Sequence, residues 1–147
     1  SIRPSLHFTQ INLSETTLKG TIRGMHFQTT PAAEAKLIRC IRGSVLDVAV
    51  DVRSSSPTFL QWHAIELSDN KHNAVFIPEG FAHGFQALGD DVQMLYLHTA
   101  NWSAEHERGL RYDDPRLAIP WPLTAQNVSE KDSRHEFIQT GFSGVSL

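Results

Sequence analysis

Apolar and polar residues alternate with a period of two along most of the chain. In Val45-Leu46-Asp47-Val48-Ala49-Val50-Asp51-Val52, Leu46, Val48, Val50 and Val52 share one face and Asp47 and Asp51 the other, the pattern of a half-buried strand. Lys36 to Ile41 reads as the strand before it, with Arg42-Gly43-Ser44 as a tight turn joining the two in a hairpin. Phe59 to Leu67 and Ala74 to Ile77 continue the series, separated by the turn residues Ser68-Asp69-Asn70. Phe85 to Leu88, Gly89-Asp90-Asp91 and Val92 to Thr99 predict a further hairpin. Helical periodicity is weak, leaving room for one short helix toward the C-terminus. Short strands punctuated by turns predict an all-β fold with little helix, an antiparallel barrel or jelly roll.

Composition narrows the class. At 147 residues the chain can bury one real core and predicts a single domain over residues 1–147. A net charge of −3 gives no sign of nucleic-acid or membrane-surface binding. The apolar runs are too short for a membrane-spanning helix, and Ser1-Ile2-Arg3-Pro4 lacks the apolar core of a signal peptide. The lone Cys40 leaves no disulfide within the chain and predicts a reducing, cytoplasmic setting. Eight histidines are many for this length, and some of them call for a chemical reading.

Arg23-Gly24-Met25-His26-Phe27-Gln28, followed by Lys36, brings a guanidinium, an imidazole, an amide and an ammonium onto one expected β-surface. That set suits removing a proton from carbon beside a carbonyl while a phosphate is held. His26 is a natural general base, since imidazole titrates near neutrality. It needs a carboxylate to orient it, and spacing leaves Asp47, Asp51, Asp114 and Asp132 all open. Lys36 can stabilise developing negative charge, and Tyr96 can offer a phenolic proton from another wall. Each residue also has a bland reading: structural histidine, edge lysine, core tyrosine, polar strand face. Their co-occurrence favours chemistry.

Pro78-Glu79-Gly80-Phe81-Ala82-His83-Gly84-Phe85 combines a sharp bend with a histidine that it can carry into a barrel mouth. Its Pro-x-Gly-x-x-His pattern is similar to that of the small jelly-roll barrels called cupins. Cupins often hold a metal through a His-x-His pair, but His26-Phe27-Gln28 puts an amide where the second imidazole would sit. A neutral amide is a poor transition-metal ligand. The metal alternative is a triad of His26, Glu34 and His83; metal-free chemistry is the expectation.

Taken together, the motifs resemble those of the dTDP-4-dehydrorhamnose 3,5-epimerase family. The resemblance is carried by Arg23 to Gln28, Ala35-Lys36-Leu37, Arg42 to Val48, Asp51-Val52-Arg53 and Ser56-Pro57-Thr58-Phe59. It continues through Ile77 to Phe85, Glu105-His106-Glu107-Arg108-Gly109, Asp113-Asp114-Pro115, Ile119-Pro120-Trp121-Pro122 and Ser129-Glu130-Lys131-Asp132. These run in family order from about Phe8 to Asp132. The resemblance implies a cupin-type jelly roll that works as a homodimer, without metal or cofactor, on a nucleotide-linked 4-keto-6-deoxyhexose. It assigns the base to His26, the carboxylate partner to Asp132, enolate stabilisation at O4 to Lys36 and the proton for the opposite face to Tyr96. Arg23, Lys131, Gln10 and Asn12 match the diphosphate and nucleotide contacts, and Gln28 and His83 complete the expected substrate-binding set.

The family pattern has, ahead of the matched region, a segment with an Asp-x-Arg-Gly-x-Phe motif that helps build the nucleotide site. The sequence begins after it, which predicts a form with a shortened N-terminus. Trp102 stands where the family usually has tyrosine near the nucleotide, a residue that can still stack. Leu60 stands where glycine is frequent and is expected to be a packing change. The expectation is therefore an epimerase inverting C3 and C5. The alternatives are inversion at C3 alone, a keto shift between C3 and C4, an idle sugar-nucleotide binder, or a metal-dependent cupin oxygenase.

Overall fold

The computed structural model describes residues 5–147, so the signal-peptide reading of Ser1 to Pro4 lies outside the described residues. Among these residues the strands are β1 (Gln10–Thr16), β2 (Ile22–Gln28), β3 (Lys36–Arg42), β4 (Ser44–Asp51), β5 (Trp62–Ser68), β6 (Val75–Ile77), β7 (Phe81–Ala87), β8 (Val92–His98) and β9 (Glu107–Gly109). One short helix, α1 (Glu130–Ser133), follows. The strands form a four-stranded sheet in the order β1-β8-β3-β6 and a five-stranded sheet in the order β5-β4-β7-β2-β9. All the pairings between these strands are antiparallel. The predicted all-β jelly-roll class is therefore what the chain adopts. No described helix is long and apolar enough to cross a membrane.

The predicted hairpins are not hairpins. The turn at Gly43 joins β3 to β4, the turn after Ser68 joins β5 to β6, and the turn at Gly89 joins β7 to β8. Each carries the chain from one sheet to the other. Among consecutive strands only β4 and β5 hydrogen-bond to each other, from Ser44↔Ser68 to Val50↔Trp62. Turn residues dictate that the chain reverses, not which strand it then meets. The partner is chosen by where the next apolar face can be buried, and here that is across the gap between the two sheets.

Two cores result. Ile38, Cys40, Val45, Ile77, Phe85 and Met94 fill the space between the sheets. On the outer side of the five-stranded sheet, Met25, Phe27, Val48, Val50 and Val52 pack against Leu110, Leu117, Ile119 and Ile138 from the C-terminal segment. Strand β4 therefore has both faces covered, and Asp47 and Asp51 are buried rather than lying on a solvated polar face. Leu60 is also more than a packing change. Its φ of +62° lies in the left-handed region, which explains why glycine suits that position.

Asp51 organises the turn after β4. It accepts from Arg53 Nε (2.9 Å), Arg53 Nη2 (2.8 Å), Ser56 Oγ (2.5 Å) and Thr58 Oγ1 (2.6 Å). Burial pushes its carboxyl pKa up, but the hydrogen bonds from Arg53, Ser56 and Thr58 outweigh it and hold the group far below the ordinary aspartate range.

A pKa lower in the folded than in the unfolded state means the contribution is present above about pH 4 and fades as pH falls through the folded value. Asp51→Asn should cost about 1.5–3 kcal/mol at pH 7. The gap to the unmodified protein should narrow by pH 3, as read from urea unfolding at both pH values.

Candidate active site

The site begins with a close approach of two strands. Gly24 has φ of +122°, and a Cβ there would stand 2.5 Å from Gly84 Cα and 2.6 Å from the His83 carbonyl oxygen. The β2–β7 register shifts at this point, between Arg23↔Phe85 and His26↔His83. Such an irregularity re-aims the strand's side chains. It also frees the Gly24 N–H from the ladder, and that N–H donates to Asp132 Oδ2 at 3.1 Å.

Asp132 comes from α1, where its own N–H donates to the capping Ser129 Oγ at 3.0 Å. Its other oxygen, Oδ1, lies 2.5 Å from His26 Nε2. The carboxylate is 3 % exposed. Burial raises its pKa, but the His26 hydrogen bond and charge and the Gly24 N–H together bring it below the usual value, so it stays ionised.

The other three candidate aspartates are already engaged. Asp47 Oδ2 is 2.7 Å from His83 Nε2, Asp51 serves Arg53, and Asp114 accepts from the N–H groups of Arg116 (2.8 Å) and Ile138 (2.6 Å).

A cavity of about 600 Å³ opens in front of His26. His26, Arg23 and Gln28 line it from β2, Lys36 from β3 and His83 from β7. Tyr96 on β8 faces it from the opposite sheet, and Asn12 and Trp102 line it as well. Gln10 and Lys131 do not line it. Gln10 Oε1 accepts from the Trp102 backbone N–H at 3.0 Å, and Lys131 Nζ lies 2.5 Å from Glu107 Oε2 beside the cavity.

The polar groups are arranged in pairs. Buried Lys36 sits 3.2 Å from Glu34 Oε1, while His98 Nδ1 is 2.9 Å from Glu34 Oε2. Burial opposes ionisation of Glu34, but His98 and Lys36 outweigh it and keep the carboxylate charged. Tyr96 stacks on His98 and meets His83 edge-on, and its hydroxyl accepts from Ser14 Oγ at 3.4 Å. Burial, above all, pushes the Tyr96 phenol far up, so it is a protonated donor. Gln28 is fully used by backbone partners. It donates to the Ala32 and Asn101 carbonyls at 2.9 and 3.2 Å and accepts from the Ser103 N–H at 2.6 Å. Its amide braces the loop, and little of it is left to hold a ligand.

Asp47, Glu34, His98 and Glu107 neighbour the cavity groups in contacts that the sequence does not assign: Asp47 pairs with His83 rather than His26, Glu34 with Lys36 and His98, and Glu107 with Lys131. Of these, Asp47 and Glu34 are named by the sequence in other roles, as a carboxylate open to His26 and as a member of the metal alternative, while His98 carries no sequence signal. His135 was also missed. Its Nε2 lies 3.7 Å from Asp132 Oδ1, and burial lowers its pKa.

Among the described residues, the one metal-capable set of three is His26, Asp132 and His135, with donor atoms within 4.8 Å of one another. Glu34 and His83 are not part of it, so the His26–Glu34–His83 triad is not assembled. Chemically, the arrangement offers a carboxylate-oriented imidazole on one wall and a protonated phenol on the other, with an ammonium between carboxylate and cavity.

Residues 2–140 match the family model described as dTDP-4-dehydrorhamnose 3,5-epimerase. An enzyme of that name from Sinorhizobium fredii is 52 % identical over 115 residues, covering 78 % of this chain. The chain spans 59 % of that relative's length. A dTDP-4-dehydrorhamnose 3,5-epimerase from Bacillus anthracis, solved with TDP and PPi bound, superposes with a TM-score of 0.88 at 42 % identity, covering 90 % of this chain and 75 % of the other. A dTDP-6-deoxy-D-glucose-3,5-epimerase from Legionella pneumophila, solved in complex with dTDP-4-keto-L-rhamnose, gives 0.88 at 37 % identity, covering 97 % and 77 %.

The β2–β7 contact leaves no room for a side chain. Gly24→Ala should cost about 2–5 kcal/mol through overpacking and backbone strain together, seen as a lower midpoint in thermal or urea unfolding.

Proposed function

The chain belongs to the dTDP-4-dehydrorhamnose 3,5-epimerase family, and from that premise we propose that it epimerises a nucleotide-linked 4-keto-6-deoxyhexose at C3 and C5. The observation that carries this reading is the pair of cavity-facing His26 and buried Asp132 opposite protonated Tyr96 across one cavity. Both C3 and C5 flank the C4 ketone, so each proton is acidified by enolate formation. His26 takes the proton from one face, and Asp132 stabilises the imidazolium that forms. Lys36 steadies the charge growing on O4, in a setting dry enough for that to count. Tyr96 returns a proton from the other face, which inverts the centre. The sequence of proton transfers consumes no electron acceptor.

Arg23 holds a place at the cavity edge, its Nε 3.2 Å from Thr16 Oγ1, and suits a diphosphate. The exposed Trp102 ring suits stacking on a nucleobase, with Gln10, Asn12 and Lys131 nearby. His83, held by Asp47, supports the same oxygen environment as Lys36.

A homodimer fits the same surface. Among the described residues, strand β1 is an edge of its sheet, and it exposes Ile11 (67 %) and Leu13 (57 %) beside the cavity. An unpaired edge carrying apolar side chains is stable when a second copy covers it. The lone buried Cys40 fits a reducing compartment.

Solvent deuterium exchange into dTDP-4-keto-6-deoxyglucose, followed by NMR, tests the chemistry. Label should enter at both C3 and C5; label at C3 alone would reassign the chain as a C3-epimerase, and nucleotide binding without exchange would make it an idle binder. His26→Ala should abolish exchange in a folded protein, and Asp132→Asn should lower kcat by roughly 10²–10⁴-fold. Tyr96→Phe should retain exchange while losing inversion. Light scattering should give the mass of two chains, and Leu13→Glu should reduce it to one.

A further inference from the structure

We propose that His26, Asp132 and His135 form a binding site for a borderline divalent cation of the zinc class, one that competes with the proton shared by His26 and Asp132. Two imidazole nitrogens and a carboxylate oxygen are a ligand set that such cations favour. The three donor atoms converge within 4.8 Å. This differs from the usual cupin arrangement, in which a His-x-His pair would use position 28; here that position is the fully engaged Gln28.

His135 is the unusual member of the set. Its Nε2 is buried and has no hydrogen-bond partner among the described residues, although it lies 3.7 Å from Asp132 Oδ1. A buried polar atom left unpaired calls for an explanation. The ring reaches this place only because residue 109 is glycine: a Cβ on Gly109 would overlap the His135 imidazole. Gly109 is also the register partner of His26 across β2 and β9. The missing side chain thus opens the gap through which the second imidazole approaches the first, with ring centroids 6.1 Å apart.

Ligands on a tetrahedral zinc ion, at bond lengths of 2.0–2.2 Å, stand about 3.4 Å from one another. The Asp132–His135 separation is already near that value. The His26–Asp132 pair, at 2.5 Å, must open by about 1 Å to admit the ion. That exchange replaces the shared proton with the cation and releases the proton to solvent. Asp132 stays aimed throughout, because Gly24 N–H holds its other oxygen and Ser129 holds its backbone. His26 is 32 % exposed toward the cavity, which leaves a coordination position open to water. The ion is an occupant of the base, not a catalytic metal. If the epimerase reading above holds, a consequence that rests on it is reversible inhibition by zinc.

The chelator-treated 147-residue chain, titrated with zinc chloride by calorimetry and with cobalt chloride by visible absorption, tests the site. One equivalent should bind saturably, and the cobalt protein should show the intense bands of a tetrahedral nitrogen–oxygen site. His135→Phe should lose those bands and weaken zinc binding by roughly 10–100-fold or more, whereas Glu136→Gln, at an exposed neighbouring position, should keep both. In the unmodified protein, zinc should shift the imidazole nitrogen resonances of His26 and His135 together, a readout that needs no folded variant. Absence of saturable binding, equal binding by His135→Phe, or shifts confined to other histidines would overturn the proposal. All these readings are independent of turnover, so they stand whether or not the chain epimerises a sugar. Zinc inhibition reversed by a chelator then tests the consequence separately.

Discussion

Strands β2 and β7 can come together as they do because neither carries a side chain where they cross. Gly24 and Gly84 meet at a separation that leaves no space for a Cβ on either. That contact sets the register shift in β2, and the shift has two effects at once. It turns His26 into the cavity, and it releases the Gly24 N–H to grip Asp132 from a helix more than a hundred residues further along the chain. A backbone constraint in the sheet thereby fixes the orientation of a carboxylate that the sheet does not contain.

Burying charge is costly unless each charge is matched, and this molecule buries several. The solution is consistent. Asp47 is given to His83, Asp51 to Arg53 with two hydroxyls, Asp114 to two backbone N–H groups, and Asp132 to His26 and a third. Glu34 bridges Lys36 and His98. Only some of these pairs face the cavity, so the same physical requirement builds both the cavity wall and the frame behind it. The exception is His135, which has a buried nitrogen and no hydrogen-bond partner for it among the described residues.

The period-two pattern located most strands well. Lys36 to Ile41 became β3 (Lys36–Arg42), and the run from Val45 became β4. What it misjudged was pairing. Gly43 and Gly89 mark real reversals, yet the strands on either side belong to different sheets, since alternation says which face is apolar and nothing about which sheet will cover it. The same limit made Asp47 and Asp51 look like a solvated face. In β4 both faces are covered, one by the opposite sheet and one by the C-terminal segment, a layer whose sequence shows little periodicity. Leu60 failed for a related reason: its positive φ is a property of the backbone, which residue identity alone does not reveal.

By itself the sequence determined the fold class and the family. Strand periodicity is local, and the order of family-like motifs from Phe8 to Asp132 carries the resemblance that implies a role for one imidazole, ammonium, phenol and carboxylate. Tertiary structure alone decided the other contacts: Asp47 beside His83, Glu34 and His98 around Lys36, and the approach of His135 over Gly109. These contacts join residues distant in the chain, and a hydrogen bond between them depends on ångström-scale placement by sheets and crossings that no local pattern encodes.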